Sequence, residues 1–150
     1  MDQAQRLKGR LYRTARLYLG SDSAALDAVD EAVYKGFLGY KRLKDPALFA
    51  TWMTRILMNV CSSELRRRRR ELAAGELPET AVEQFDALPL RQAVERLPRE
   101  LRAVVTLRYF AGYTLAETAD ILRIPRGTAA GRARRALALL RLELGEEAET

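Results

Sequence analysis

The sequence predicts an all-α protein made of two small helical domains. Three observations predict it: apolar residues recur at helical spacing along most of the chain, strand-like alternation is almost absent, and an acidic stretch with Gly75 and Pro78 breaks the pattern midway. At 150 residues the chain has room for one ordinary domain or two very small ones. Its 48% hydrophobic content supports packed cores rather than a disordered chain.

The first helix is predicted from Leu7, Leu11, Ala15 and Leu19, which recur every fourth position and form one stripe. Gly20 ends it, and Ser21 or Ser23 is placed to cap the next helix, which begins with acidic residues where the helix dipole favours them. In that second helix Leu26, Val29, Val33 and Phe37 share a face, and Gly36 and Gly39 mark a fraying end. Asp45-Pro46 opens a third helix: the carboxylate accepts from free backbone N–H groups, and proline at the first helical position loses no hydrogen bond. This helix continues through Phe49, Trp52, Met53, Ile56 and Val60 to the arginine run Arg66–Arg70, and is the expected spine of a first domain over residues 1–70.

Residues 71–87 read as a short acidic linker, with Glu71, Glu76, Glu79, Glu83 and Asp86 around Gly75 and Pro78. The second domain, residues 88–150, restarts the periodicity with Leu90, Val94 and Leu97, and Pro98 begins a helix carrying Leu101, Val104, Val105 and Leu107. After Gly112, Thr114 and Glu117 form a capping box, in which hydroxyl and carboxylate each satisfy a free N–H of the first turn. That helix is short, because Pro125 follows closely and starts a last helix through about Leu142.

Composition excludes several classes of function. With one cysteine, Cys61, and no histidine, neither an intrachain disulfide nor a structural zinc cluster is expected, and no cofactor is expected. Ser62 and Ser63 have no evident base, and no Gly-rich phosphate loop follows a strand, so an enzyme is not expected. No segment is apolar enough for a membrane span or a signal-peptide core, so a cytoplasmic protein without membrane insertion is expected. Lys plus Arg number 26 against 20 Asp plus Glu, a net charge of +6 that favours a polyanionic partner.

Where that charge lies is more informative. A capped short helix, a tight break and a second helix make a helix-turn-helix, with Ala119 small where the two approach and Ile121, Leu122 and Ile124 sealing the corner. The second of these helices carries Arg126, Arg132, Arg134, Arg135 and Arg141, with no acid between Arg123 and Arg141. A helix of one sign repels itself unless a polyanion such as DNA phosphate accepts it. The plainer alternative is a solvated basic face. The run Arg66–Arg70 covers every side of a helix end, and Trp52 and Asn59, seven residues apart, share one side of the same helix. An aromatic ring, an amide and a basic run suit single-stranded bases, although a tryptophan at such spacing is more often a core residue.

Here a resemblance enters. Trp52-Met53-Thr54-Arg55-Ile56-Leu57-Met58-Asn59, followed by Leu65-Arg66-Arg67, resembles the region 2 signature of extracytoplasmic-function sigma factors of the sigma-70 superfamily. Ala28-Val29-Asp30-Glu31-Ala32-Val33 is similar to the segment by which that family docks on the polymerase clamp helices. Leu97-Pro98-Arg99-Glu100-Leu101-Arg102, Leu107-Arg108-Tyr109-Phe110 and Ile124-Pro125-Arg126-Gly127-Thr128 resemble its region 4. The resemblance covers nearly the whole chain, in the family's order. It implies a transcription initiation factor whose partners are core RNA polymerase, promoter DNA and an anti-sigma protein. It implies polymerase contacts at Asp27, Asp30, Glu31, Val33 and Lys35, −10 element contacts at Trp52, Asn59, Arg66 and Arg67 with a flipped base near Asn59, and −35 element contacts at Arg126, Thr128, Arg132, Arg134 and Arg135.

The chain departs from the family pattern at several positions. Asp30 stands where the family often has Gln, Ser63 where it often has Asp, and Ala129, Ala130 and Gly131 where larger polar residues are frequent. Small side chains offer no hydrogen bonds to bases, so upstream recognition is expected to lean on phosphate contacts and DNA shape. Two other readings stay open: a helix-turn-helix regulator that does not use polymerase, and a degenerate sigma-like protein that needs a helper subunit.

Overall fold

In the computed structural model the backbone is described for residues 2–75 and 89–149, and the side chains for 6–75 and 89–142. Every regular element among the described residues is helical. The chain divides into two compact units, Met1–Glu83 and Gln84–Thr150.

The first unit contains α1 (Asp2–Leu19), α2 (Asp22–Gly39) and α3 (Phe49–Ala73), each packed on the other two. Gly20, at φ 78°, ends α1 as expected, and the Ser21 hydroxyl accepts from the Ala24 N–H at 3.3 Å to start α2. Asp22 fastens the corner, accepting from Tyr12 Oη at 2.6 Å and Arg16 Nε at 2.7 Å. Asp45 accepts from the Ala47 N–H at 3.0 Å, but Pro46 opens a 3₁₀ turn, Pro46–Leu48, and α3 itself starts at Phe49. The core holds Leu11, Ala15, Tyr18 and Leu19 from α1, Val29 from α2, and Met53, Leu57, Met58, Val60 and Cys61 from α3. Burial pushes the Cys61 thiol up to about 12, so it stays protonated and behaves as a small hydrophobe.

The second helix turns a different side inward than its large residues suggest. Leu26, Val29, Val33 and Phe37 do share a face, but only Val29 is buried, and Phe37 is 80% exposed. The packing side is Ala25, Ala28, Ala32 and Gly36. Short side chains there let the backbones of neighbouring helices come close, which bulky ones would prevent. Gly36 is therefore a contact point and not a frayed end: a Cβ built on it would run into the Met53 sulfur.

The expected linker begins later than residue 71, because α3 continues to Ala73 and Gly75 follows at φ 84°. Its remainder, 76–87, lies outside the described residues.

The second unit contains α4 (Pro89–Arg96), α5 (Arg99–Val105), α6 (Leu115–Leu122) and α7 (Arg126–Glu149). The other three all pack on α7. Ala93, Val94, Leu97, Leu101, Val105, Ala136 and Leu140 form one buried cluster. Pro98 precedes α5 as its N-cap instead of lying inside it. Beyond α5 the helix widens into a π turn, Thr106–Phe110, in which the Ala111 N–H donates to the Thr106 carbonyl at 2.9 Å. That turn keeps Leu107 buried and leaves Tyr109 and Phe110 exposed, with the Arg108 guanidinium 5.4 Å from the Tyr109 ring centre.

The capping box forms as the spacing predicts: the Glu117 N–H donates to Thr114 Oγ1 at 3.1 Å, and the Thr114 N–H to Glu117 Oε1 at 2.8 Å. Ala119 of α6 and Ala129 and Ala133 of α7 are all buried, and the two helices pack on one another. Ile121 is buried at the corner, whereas Leu122 and Ile124 are half-buried. The corner itself is a Schellman turn, with the Ile124 N–H donating to the Ala119 carbonyl at 3.0 Å and the Arg123 N–H to the Asp120 carbonyl at 3.2 Å. Arg123 therefore sits at φ 56° and ψ 47°, a left-handed conformation that a side chain with a Cβ resists. Arg123→Gly is expected to raise the unfolding free energy of this unit by about 0.5–1 kcal/mol. Urea denaturation checks it, and a lower midpoint for the variant would contradict it.

Candidate nucleic-acid interface

In the first unit, the packing of α2 against α3 shapes a cleft of about 290 Å³ lined by Lys35, Gly39, Arg42, Trp52, Ile56 and Asn59. Trp52, Ile56 and Asn59 come from successive turns of one side of α3, as their spacing requires. Trp52 is half-buried and forms a wall of the cleft, its ring centre 6.1 Å from that of Phe49 at an interplanar angle of 36°. Gly39 supplies the close approach from α2: a Cβ on it would touch the indole at 3.5 Å. Asn59 stands exposed at the lip. Chemically the cleft offers a flat aromatic wall, an amide with both donor and acceptor, and two cations. That combination fits one unstacked base with its phosphate.

Lys35 and Arg42 are the wall residues that sequence reasoning missed as a pair. The resemblance implies a polymerase contact for Lys35 and no role for Arg42. Neither carries a local signal, because only the packing of α2 on α3 brings them beside Trp52.

The arginine run does not act as one block. Arg67 Nη2 lies 2.7 Å from Glu64 Oε1, and its Nη1 pairs with Glu71. Arg68 Nε lies 3.2 Å from Glu64, and its Nη1 donates to the Leu19 carbonyl at 3.1 Å, closing the C-terminal end of α1. Burial alone would raise the Glu64 carboxyl, but hydrogen bonds and charge from Arg67 and Arg68 outweigh it and hold the group below its ordinary value. Arg66 donates to Ser63 Oγ at 3.2 Å and is exposed.

The residues that the resemblance implies for polymerase contact all stand on α2 but not on one patch, Asp30 and Val33 bordering an apolar groove and Lys35 lining the cleft of Trp52 and Asn59. Asp27, Asp30, Glu31, Val33 and Lys35 are all exposed, Glu31 and Lys35 forming an ion pair at 3.3 Å one turn apart. The groove, of about 430 Å³, is lined by residues that include Asp30, Val33, Phe37, Tyr40 and Phe49.

In the second unit α7 buries Ala129, Ala133 and Ala136 and turns its arginines outward. Arg126, Thr128, Arg134 and Arg135 are exposed, while Arg132 is half-buried with Glu100 at 4.0 Å. A Cβ on Gly127 would meet nothing within 4 Å, so no packing within the unit demands a glycine there. The exposed side thus combines small residues with cations, which suits close approach to phosphate more than base-edge hydrogen bonding.

Among the described residues no helix is long and apolar enough to cross a membrane, and no group of His, Cys, Asp or Glu is arranged to hold a metal ion.

Comparison with known proteins bears on both units. The family profile described as Sigma-70 region 2 matches residues 4–71, and that described as Sigma-70, region 4 matches residues 87–140. The ECF RNA polymerase sigma factor SigM of Mycobacterium tuberculosis is 31% identical over 141 residues, covering 91% of this chain and 72% of the relative. RNA polymerase sigma factor SigV of Bacillus subtilis is 26% identical over 145 residues, covering 93% and 87%. Among solved structures, the sigma factor RpoE of Bartonella quintana, in complex with the anti-sigma factor NepR, matches with a TM-score of 0.84 at 22% identity, over 96% of this chain and 95% of that one. CnrH, in complex with the cytosolic domain of CnrY, matches with a TM-score of 0.74 at 22% identity, over 97% and 86%. The chain therefore belongs to the extracytoplasmic-function group of the sigma-70 family, transcription initiation factors, not enzymes, that bind core RNA polymerase and direct it to promoters.

Proposed function

We propose that the two units divide the promoter between them. The first docks on polymerase through the exposed side of α2, using Asp27, Asp30, Glu31, Val33 and Lys35, and opens the −10 element by receiving one flipped base in the cleft of Trp52 and Asn59. The second holds the duplex at the −35 element through α7, with Arg126, Thr128, Arg132, Arg134 and Arg135. The observation that carries this reading is the cleft: an aromatic wall, an amide lip and two cations converge where a single unstacked base and its phosphate would fit. Extracting a base costs a few kcal/mol, and a preformed cleft offsets that cost.

The protein works in the cytoplasm, where polymerase meets DNA. Between rounds of use an anti-sigma protein covers it, a reading supported by the anti-sigma factor NepR named as the partner of the structurally similar RpoE.

Transcription with purified core polymerase on a promoter library, with and without the protein, tests the proposal. Initiation confined to a promoter subset with two separated elements supports it. Tight binding to duplex DNA with no response from polymerase would favour an independent helix-turn-helix regulator. For the second unit, Arg134→Ala with Arg135→Ala is expected to flatten the dependence of log K on log salt by nearly 2, about 0.9 for each lost phosphate contact. An unchanged slope means that this side of α7 does not face DNA.

A further inference from the structure

The base cleft and the apolar groove of the first unit meet at a pair of rings. Phe49 lines the groove, Trp52 lines the cleft, and their ring centres lie 6.1 Å apart at an interplanar angle of 36°. Three residues apart on α3, the two stand on successive turns of one side of the helix. Phe49 is the first residue of α3, and its N–H donates to the Pro46 carbonyl, which ties it to the preceding 3₁₀ turn. At 36% exposure its ring is not core filling, and it does not line the cleft itself. The six-membered edge of the indole faces α2 at Gly36 and Gly39, where an added Cβ would stand 3.7 and 3.5 Å from its ring carbons.

We infer that Phe49 is a positioning residue of the base cleft: its ring sets the plane of the Trp52 indole against which the unstacked base lies. The inference rests on the proposed base cleft and adds the residue that holds its wall. Stacking depends on the orientation of the ring offered to the base. On the α2 side the indole meets glycines, which supply no side chain to lock it. A half-buried indole without a second support swings about its side-chain bonds, and base capture then has to order it. A neighbouring ring at a favourable separation, about 4.5–7 Å between centres, fixes that orientation in advance. Leucine at position 49 would fill similar space but offer no ring.

The test uses the full chain, free and in holoenzyme preformed at saturating core polymerase, so that docking does not limit the rate. Trp52 is the chain's only tryptophan, so the emission maximum and acrylamide quenching of the free protein report on that one indole. Phe49→Leu is expected to change both signals and to slow promoter opening about 2- to 10-fold, the worth of one aromatic pair. Phe49→Tyr keeps the ring and restores signals and rate together. In a Trp52→Ala background Phe49→Leu slows opening no further, because the indole through which it acts is gone. Urea midpoints confirm that each variant is folded, and Phe49→Met replaces the leucine variant should that one unfold. Parent-like Trp52 signals in Phe49→Leu, or an equal slowing with and without Trp52, overturns the assignment. Opening at the parent's rate by Trp52→Ala alone counts instead against the cleft on which the assignment rests, so the two failures are distinguishable.

Discussion

An Asn59→Ala holoenzyme is expected to form at the parent's affinity for core polymerase and to open promoters about 5- to 150-fold more slowly. Asn59 is exposed at the lip of the cleft, so truncating it neither leaves a cavity nor disturbs the α2 surface. What is lost is an amide able to bond the edge of a base, a contact worth about 1–3 kcal/mol when it is made to the right partner. Because each 1.36 kcal/mol is a factor of ten, that range sets the expected slowing. The penalty falls on opening and not on docking, because the base reaches the amide only after leaving its stack. Fluorescence of a reporter base in the −10 element, followed alongside polymerase binding, separates the two steps. An opening rate equal to the parent's would remove Asn59 from the base site.

The largest effect on stability is expected from Leu107→Ala. Leu107 has 0% exposure, at the place where α5 widens into the π turn, and its main chain also accepts from the Tyr113 N–H at 3.0 Å. Removing the buried side chain forfeits its transfer free energy and leaves a void, a combined cost of about 2–5 kcal/mol. A domain of this size has only a small stability reserve, so a loss of that size takes away most of it. Since α5, α6 and α7 pack together, the arginine side of α7 loses its rigid support. Denaturant unfolding followed by circular dichroism is expected to show a transition at much lower midpoint, and duplex binding should weaken with it. A cost below about 1 kcal/mol would mean that the surrounding helices close the gap freely.

Much of this architecture is written locally in the chain. The Thr114–Glu117 capping box, the Gly20 stop and the Pro125 restart each depend on residues within a turn of one another, and each stands where the spacing places it. Trp52 and Asn59 share a side of α3 for the same reason. What periodicity could not decide is which of two apolar stripes on α2 packs inward. Turned inward, Leu26, Val33 and Phe37 would bury more area residue for residue than alanines, but the close approach of α2 to its neighbours selects the alanine side, and these three stand exposed. The cleft shows the same limit of local reasoning, because Lys35 and Arg42 join it only after α2 meets α3. The arginine run was legible as charge and not as function: Glu64, Glu71 and the Leu19 carbonyl decide which guanidinium groups remain available. The π turn has no signature in the residues Thr106–Phe110 themselves.

The second helix also bears on how the protein tolerates change. On its inner side, added volume at Ala28, Ala32 or Gly36 drives the bundle apart. On its outer side Phe37 is 80% exposed, so trimming it costs the bundle little. The same eighteen-residue helix is thus intolerant of added volume on one side and nearly indifferent to lost volume at Phe37 on the other.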